Sequence, residues 1–286
     1  MKFNILVQNK TIDDNDGSSQ VLFHIGHALE EHGHTFNFLN LIDDWPEADS
    51  FIYQSEWATQ LNPRLKDRRE RKISWLGHFT PTYRYPMPKL EEIQADIYFT
   101  QWRGECVEMA AKAVRSPILY VPHGFCPKCN TEGKMIDGPK AVFIGADYPE
   151  RRLDWNDYAY VTRIVCPHDQ AKDYYKTAIV SPTVHGDFQK GKVTEYMQVA
   201  GHMLNDRIFN VVMSGGFAIA DDVPILSEFF TSDEVPQAAT KEGYKETIDY
   251  FIANPERRLP YMQKSKERIV RDHSYVDRIK PLLEAL

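Results

Sequence analysis

Short apolar runs and amphipathic stretches alternate along this chain. "FNILVQN" near the start is a continuous apolar run of strand length, the pattern of a strand buried on both faces of a parallel sheet. The polar turn "DDNDGSS" leads into "SQVLFHIGHALEEHG". There Val21, Leu22, Ile25, Ala28 and Leu29 fall on one helical face, and Gly33 marks the stop. "TFNFLNLI" predicts the next strand. A strand, loop, helix and strand in this order open a doubly wound sheet. "SFIYQS", "KISWLGHF", "DIYFTQ" and "PILYVPHG" predict further strands, with the helical stretch "RGECVEMAAKAV" among them.

The polar segment "CNTEGKMIDGPK", Cys129 to Lys140, carries two glycines and a proline and predicts a linker. A second series follows it. "AVFIGAD", "RIVCP", "AIVSPTV" and "EVPQAA" predict strands, and "DYYKTA" and "LNDRIFNVVMS" predict helices. The tail from "YKETIDYFIANPERR" to "DRIKPLLEAL" is largely helical. The expected fold class is α/β, with two Rossmann-like domains facing each other across a cleft. Residues 1–135 form the first domain, 136–262 the second, and 263–286 a C-terminal helix packing back towards the first.

Composition narrows the function. The chain of 286 residues is 42% hydrophobic and 12% aromatic, enough for a sizeable core. It is 26% charged with no long run of one sign, which excludes disorder. A net charge of −7 and a pI near 5.8 give no global attraction to nucleic acid or anionic membrane. No segment approaches the roughly 18–20 apolar residues of a membrane span. "MKFNILVQNK" lacks the apolar stretch of a signal peptide, and four cysteines do not make a disulfide scaffold, so the expected compartment is the cytoplasm. No G-x-S-x-G, Walker A loop or H-E-x-x-H occurs, and the first loop is not G-x-G-x-x-G, so no nicotinamide cofactor is expected.

Ligands of open α/β sheets sit at the carboxyl ends of the strands, and candidate chemistry gathers there. The loop from Asp13 to Ser19 can offer N–H groups and a helix end to an anion; a surface turn with a serine N-cap is the alternative. In "VMSGGF", Ser214, Gly215 and Gly216 either bring backbone close to a ligand or cap a helix. Arg151 and Arg152 follow "VFIGAD", and Arg207 begins a helix. Arginine forks suit a diphosphate. His78 and His123 end strands of the first domain. His123, Cys126 and Cys129 have ligand-like spacing, with Cys166 and His168 in a second loop. Only one C-x-x-C is present, so a thiol loop is the reading and no metal is expected. "RLKDRRERK", with Arg64, Lys66, Arg68, Arg69, Arg71 and Lys72, reads as a solvated helix, a DNA-binding face being the alternative.

Taken in order, these segments resemble the group-one glycosyltransferases of GT-B fold, most closely the spore-maturation CgeB-like branch. "VFIGADYPERR" is similar to the first strand and loop of the family's donor domain. "NDRIFNVVMSGGFAIADDVPILSEFF" resembles its arginine-x-phenylalanine-glutamate helix, glycine turn and following aspartate. "IANPERR" and "RDHSYVDRIKPLL" resemble its closing helices. More loosely, "DGSSQVLFHIGHALEEHGHTF" and "ILYVPHGFCP" resemble the first domain's opening and end.

The resemblance implies sugar transfer from a nucleotide sugar to a hydroxyl acceptor, metal-independent and retaining, with no cofactor beyond that co-substrate. Implied catalytic residues are His78, Arg151 and Arg207. Implied donor-binding residues are Gly17, Ser18, Gly145, Arg152, Asn210, Ser214, Gly215, Gly216 and Glu228, with Asp16 and His123 on the acceptor side. Asn210 stands where the family has glutamate, which opens the alternative of a non-catalytic nucleotide- or sugar-binding protein. Surface carbohydrate, protein, small molecule and hydroxymethylated DNA base all remain candidate acceptors.

Overall fold

The computed structural model describes residues 1–8, 20–55, 58–77, 94–145, 158–184 and 203–286. The chain divides into two compact units, Met1–Cys126 with Tyr275–Leu286, and Pro127–Ser274.

In the first unit the apolar runs become β1 (Lys2–Val7), β3 (Ser50–Gln54), β4 (Arg71–Trp75), β5 (Ile97–Thr100) and β6 (Ile118–Tyr120), with β2 (Thr35–Asn40) at one edge. All pairs are parallel, in the order β2-β1-β3-β4-β5-β6. Five of the six residues of β1 and all of β3 and β5 are buried, as strands covered on both faces require. Edge strand β2 is only half-buried. Helix α1 (Gln20–Glu31) buries Val21, Leu22, Ile25, Ala28 and Leu29, the stripe its periodicity predicts, and ends ahead of Gly33. Helices α2 (Ala58–Leu65) and α3 (Glu105–Ala113) follow β3 and β5. Leu61 and Leu65 of α2 pack on Leu6, Trp45, Phe51 and Tyr53.

The second unit repeats the plan. It contains β7 (Ala141–Ile144), β8 (Val161–Ile164), α4 (His168–Thr177), β9 (Ser181–Thr183), α5 (Arg207–Met213), β10 (Ala218–Asp221), β11 (Gln237–Ala238), α6 (Lys241–Ala253) and α7 (Leu259–Asp272). A bridge between Ala141 and Val180 joins the β7-β8 and β9-β10-β11 ladders. The resulting parallel order is β8-β7-β9-β10-β11, matching β2-β1-β3-β4-β5 in the first unit. In each unit the chain reverses its winding direction between the first and third strands, the switch point where such sheets bind ligands. The core of the second unit gathers Phe143, Val180, Phe217, Ile219, Tyr244, Ile248 and Phe251.

Two expected boundaries shift. The first unit ends at Cys126 rather than at residue 135, because the polar linker is bound to the second unit. Lys134 N donates to Asp173 Oδ1 (2.7 Å), Ile136 N to Thr177 Oγ1 (2.9 Å) and Gly133 N to Ser214 O (3.0 Å). A Cβ on Gly133 would lie 2.1 Å from Lys172 O, so the linker backbone lies directly on α4. The expected separate piece 263–286 is also divided. Its first part completes α7 in the second unit, whereas α8 (Tyr275–Arg278) and α9 (Lys280–Glu284) belong to the first. Tyr275, Ile279 and Leu282 are buried there, and Val276 O receives a 2.7 Å hydrogen bond from His32 Nε2. Among the described residues no helix is long and apolar enough to cross a membrane.

Candidate functional site

The second unit's switch point lies at the carboxyl end of β7, and Arg207 is there. The Asn205 side chain accepts from Arg207 N (2.8 Å) and so starts α5 at this residue. Ile208, Phe209, Val211 and Val212 bury the apolar stripe of α5 and fix its rotation. The Arg207 side chain, 9% exposed, donates Nε to Ile144 O (2.9 Å) and lays its guanidinium over the Phe143 ring at 4.5 Å. The buried Tyr175 hydroxyl lies within reach of this charge. Burial pushes that hydroxyl far above its ordinary range, so it stays neutral beside the cation. No carboxylate forms an ion pair with Arg207 among the described residues. A guanidinium held this way is a fixed positive charge at a strand end, suited to an anionic ligand.

Gly145 is tied to the same feature. A Cβ there would meet Arg207 Nη2 at 2.8 Å, and the backbone φ is +155°. The missing side chain is the space the guanidinium occupies.

The glycine pair has a different explanation. Gly215 N donates to Val212 O (3.0 Å) and Gly216 N to Val211 O (2.9 Å), the two bonds of a Schellman cap, with Gly215 at φ +83°. A Cβ on Gly216 would lie 2.5 Å from Tyr175 O. Of the two alternatives in "SGGF", the helix cap is therefore formed, and it seats α5 on the end of α4. Ser214 Oγ donates to Asn210 O at 2.6 Å.

Asn210 sits one turn along α5 from Arg207. Its Oδ1 accepts from Asn130 Nδ2 (2.6 Å), a residue of the linker. Glu228 ends a short 3-10 turn, Pro224–Glu228, after β10 and is exposed. The next residue, Phe229, accepts through its carbonyl from His273 Nε2 (3.0 Å) and Arg268 Nε (3.1 Å). The His273 ring packs among Phe209, Phe229 and Phe230.

In the first unit, His123 is buried, with Nδ1 3.2 Å from the Tyr275 hydroxyl. Its spacing from Cys126 and Cys129 suggested a shared ligand set, but the residue that approaches Cys126 is His24 of α1. Asp16, Gly17, Ser18, His78, Arg151 and Arg152 lie outside the described residues. The structure thus brings Gly145 and Arg207 together in one unit, and Asn210 and Ser214 along one helix. Sequence reasoning missed Tyr175, Phe143 and Asn130. Tyr175 is indistinguishable in "DYYKTA" from its half-buried neighbour Tyr174. Asn130 lies in a segment whose polarity predicted only a linker.

Much of "RLKDRRERK" is used inside the first unit. Arg64 stacks on Trp45 at 3.5 Å and donates to the carbonyls of Leu41 and Asp43. Arg68 pairs with Glu70 at 2.6 Å and lies over Phe51. Arg71 donates to Leu286 O, and Lys72 Nζ to Arg68 O (2.8 Å). Lys66 and Arg69 are exposed.

The glycosyl transferase-like family model matches residues 132–284, more than half of the 286-residue chain. No curated protein sequence matches the chain. Solved structures match over nearly its whole length at low identity. An alpha-glucosyltransferase in complex with UDP and a 13-mer DNA containing an HMU base is 8% identical with a TM-score of 0.67, covering 100% of this chain and 99% of that one. Anabaena Alr3699/HepE, in complex with UDP and glucose, is 9% identical with a TM-score of 0.62, covering 99% and 98%. T4 phage BGT, in complex with its UDP-glucose substrate, is 10% identical with a TM-score of 0.60, covering 100% and 99%. The two parallel sheets of like strand order are those of the GT-B fold. With its matched segment beginning in the linker and running through α5, α6 and α7, the chain belongs to the glycosyl transferase-like family and is a glycosyltransferase.

Proposed function

We propose that the chain transfers a sugar from a uridine-diphosphate sugar to a hydroxyl acceptor, with the diphosphate bound at the carboxyl end of β7. The observation that carries this reading is the buried Arg207 guanidinium, held by Ile144 O and stacked on Phe143 beside a glycine at 145. As the sugar leaves, negative charge grows on the diphosphate. A cation already in place stabilises that charge without reorganising. Arg151 and Arg152, in the segment after β7, join Arg207 in this proposal. Gly17 and Ser18 are assigned to donor binding and His78 to catalysis, as the family resemblance implies. Asp16 and His123 are assigned to the acceptor side, and Glu228 to the nucleotide.

Arginines and helix ends suffice for the leaving group, so the proposed reaction is metal-independent. Added magnesium or manganese then leaves turnover unchanged. Retention of anomeric configuration follows the resemblance to the CgeB-like branch, carried by the order "RIF" to "SGG". Asn210 keeps a neutral acceptor where the family has a carboxylate, and Asn130 already donates to it. The proposal therefore gives Asn210 the role of holding the linker rather than a charged contact to ribose. The cytoplasm is the proposed compartment, in keeping with the thiols of Cys126, Cys129 and Cys166.

A hydroxymethylated DNA base is a second reading of the acceptor, favoured by the whole-length likeness to a glucosyltransferase solved with such DNA. Arg64, Arg68, Arg71 and Lys72 are engaged within the first unit, so a duplex would bind through other residues. Lys66 and Arg69 are the exposed cations of that stretch, so on this reading neutralising them weakens duplex binding. The test of the main reading is continuous release of UDP from a panel of UDP-sugars offered with hydroxyl acceptors. Sustained release with one sugar supports it, and binding of UDP-sugar without release under every acceptor overturns it.

A further inference from the structure

Strand β2 ends the first unit's sheet, paired on one side only, with β1. Thr35 N donates to Met1 O (3.0 Å). The unbroken parallel register therefore turns the N–H and C=O groups of Thr35, Asn37 and Leu39 toward β1, and those of Phe36, Phe38 and Asn40 outward. Asn40 is closed off locally. Its N–H donates to Asp43 Oδ2 (2.8 Å), and its carbonyl accepts from Asp43 N (3.1 Å) and Trp45 Nε1 (3.2 Å). Among the described residues no hydrogen bond reaches the outward groups of Phe36 and Phe38. The faces of β2 are covered: Phe36 and Phe38 pack on each other and on His27, Asn37 Nδ2 donates to Asn4 Oδ1 (3.1 Å), and Leu39 packs on the Leu6 cluster. What stays open is a strip of backbone two outward residues long.

Such an edge is a template for another strand unless something blunts it. The usual devices are charge, proline and bulges. "TFNFLN" contains neither a charged residue nor proline, and its register with β1 has no bulge. The open stretch Phe36-Asn37-Phe38 reads the same in both directions. A two-fold axis through Asn37 sets Phe36 of one copy opposite Phe38 of the other, and the outward groups then complete four N–H···O=C bonds. A strand facing its own copy brings like residues together, and this one has no like charges to oppose. We propose that β2 pairs antiparallel with β2 of a second copy of this chain, joining the two six-stranded sheets into one. The self-complementary edge selects the chain itself as the partner.

Sedimentation of the full-length chain over a range of concentrations tests this, beside Phe36→Pro. Proline at 36 removes an outward N–H and leaves the bonds to β1 intact. A wild-type dimer is expected, with association weakened about tenfold or more in Phe36→Pro, since two bonds are lost across the axis. Should that variant fail to fold, Asn37→Cys reports instead. Asn37 meets its own copy as a non-hydrogen-bonded pair with Cα atoms about 4.5 Å apart, within reach of a disulfide. Mild oxidation then links Asn37→Cys into covalent dimers, whereas Ile42→Cys, at an exposed site remote from the axis, stays unlinked. A wild-type chain that remains monomeric at every concentration overturns the proposal. So does a folded Phe36→Pro chain that associates as tightly as the wild type, or Asn37→Cys that links no faster than Ile42→Cys.

Discussion

Gly145 and Arg207 are sixty-two positions apart in sequence, yet each explains the other. The guanidinium fills the volume a side chain at 145 would take, 2.8 Å from the place of its Cβ. Gly145→Ala therefore displaces the charge without removing it. UDP affinity is expected to fall by about 5- to 30-fold, or ~1–2 kcal/mol, with little change in unfolding temperature, as calorimetry and a thermal melt would show. Unchanged UDP affinity in Gly145→Ala would mean that the guanidinium's position does not matter to the ligand. Arg207 was legible in the sequence because an arginine opened an apolar helical pattern. Tyr175 was not, because which of two adjacent tyrosines faces inward depends on the rotation of α4.

At the scale of elements, the glycines of "SGGF" answer to packing. Gly215 takes the left-handed conformation of the α5 cap, and Gly216 lets that cap touch α4. Gly216→Ala forces backbone apart and is expected to destabilise by about 1–3 kcal/mol, read as a shift in urea midpoint at constant slope. Gly133→Ala presses on Lys172 O in the same way and is expected to loosen the linker from α4, seen as faster proteolysis after Lys134 at little cost in global stability. A linker cleaved no faster in that variant would contradict the close approach. The strands themselves were readable from apolar runs, since a parallel sheet buries both faces. The linker's attachment was not, because its backbone N–H groups bond side chains about forty residues away, those of Asp173 and Thr177.

Over the whole molecule, the chain leaves the first unit at Cys126 and returns to it at Tyr275. The return was foreseen only as helices packing back; its exact residue depends on which aromatic found a pocket. Tyr275 did, against His24, His123 and Phe125. Tyr275→Ala is expected to cost about 3–5 kcal/mol, whereas Tyr275→Phe keeps the stacking and costs about 0.5–1.5 kcal/mol. Chemical denaturation of both variants checks this, and equal losses would show that the hydroxyl rather than the ring holds the segment.

The account rests on a donor site built around one buried arginine. Its most direct test is calorimetric titration of UDP into the wild-type chain and into Arg207→Ala, with a thermal melt to show that the variant is folded. Loss of charge-assisted bonds worth about 1.5–3 kcal/mol predicts affinity weakened by roughly 10- to 150-fold in the folded variant. A folded Arg207→Ala chain that binds UDP as tightly as the wild type would contradict the placement of the diphosphate at the end of β7.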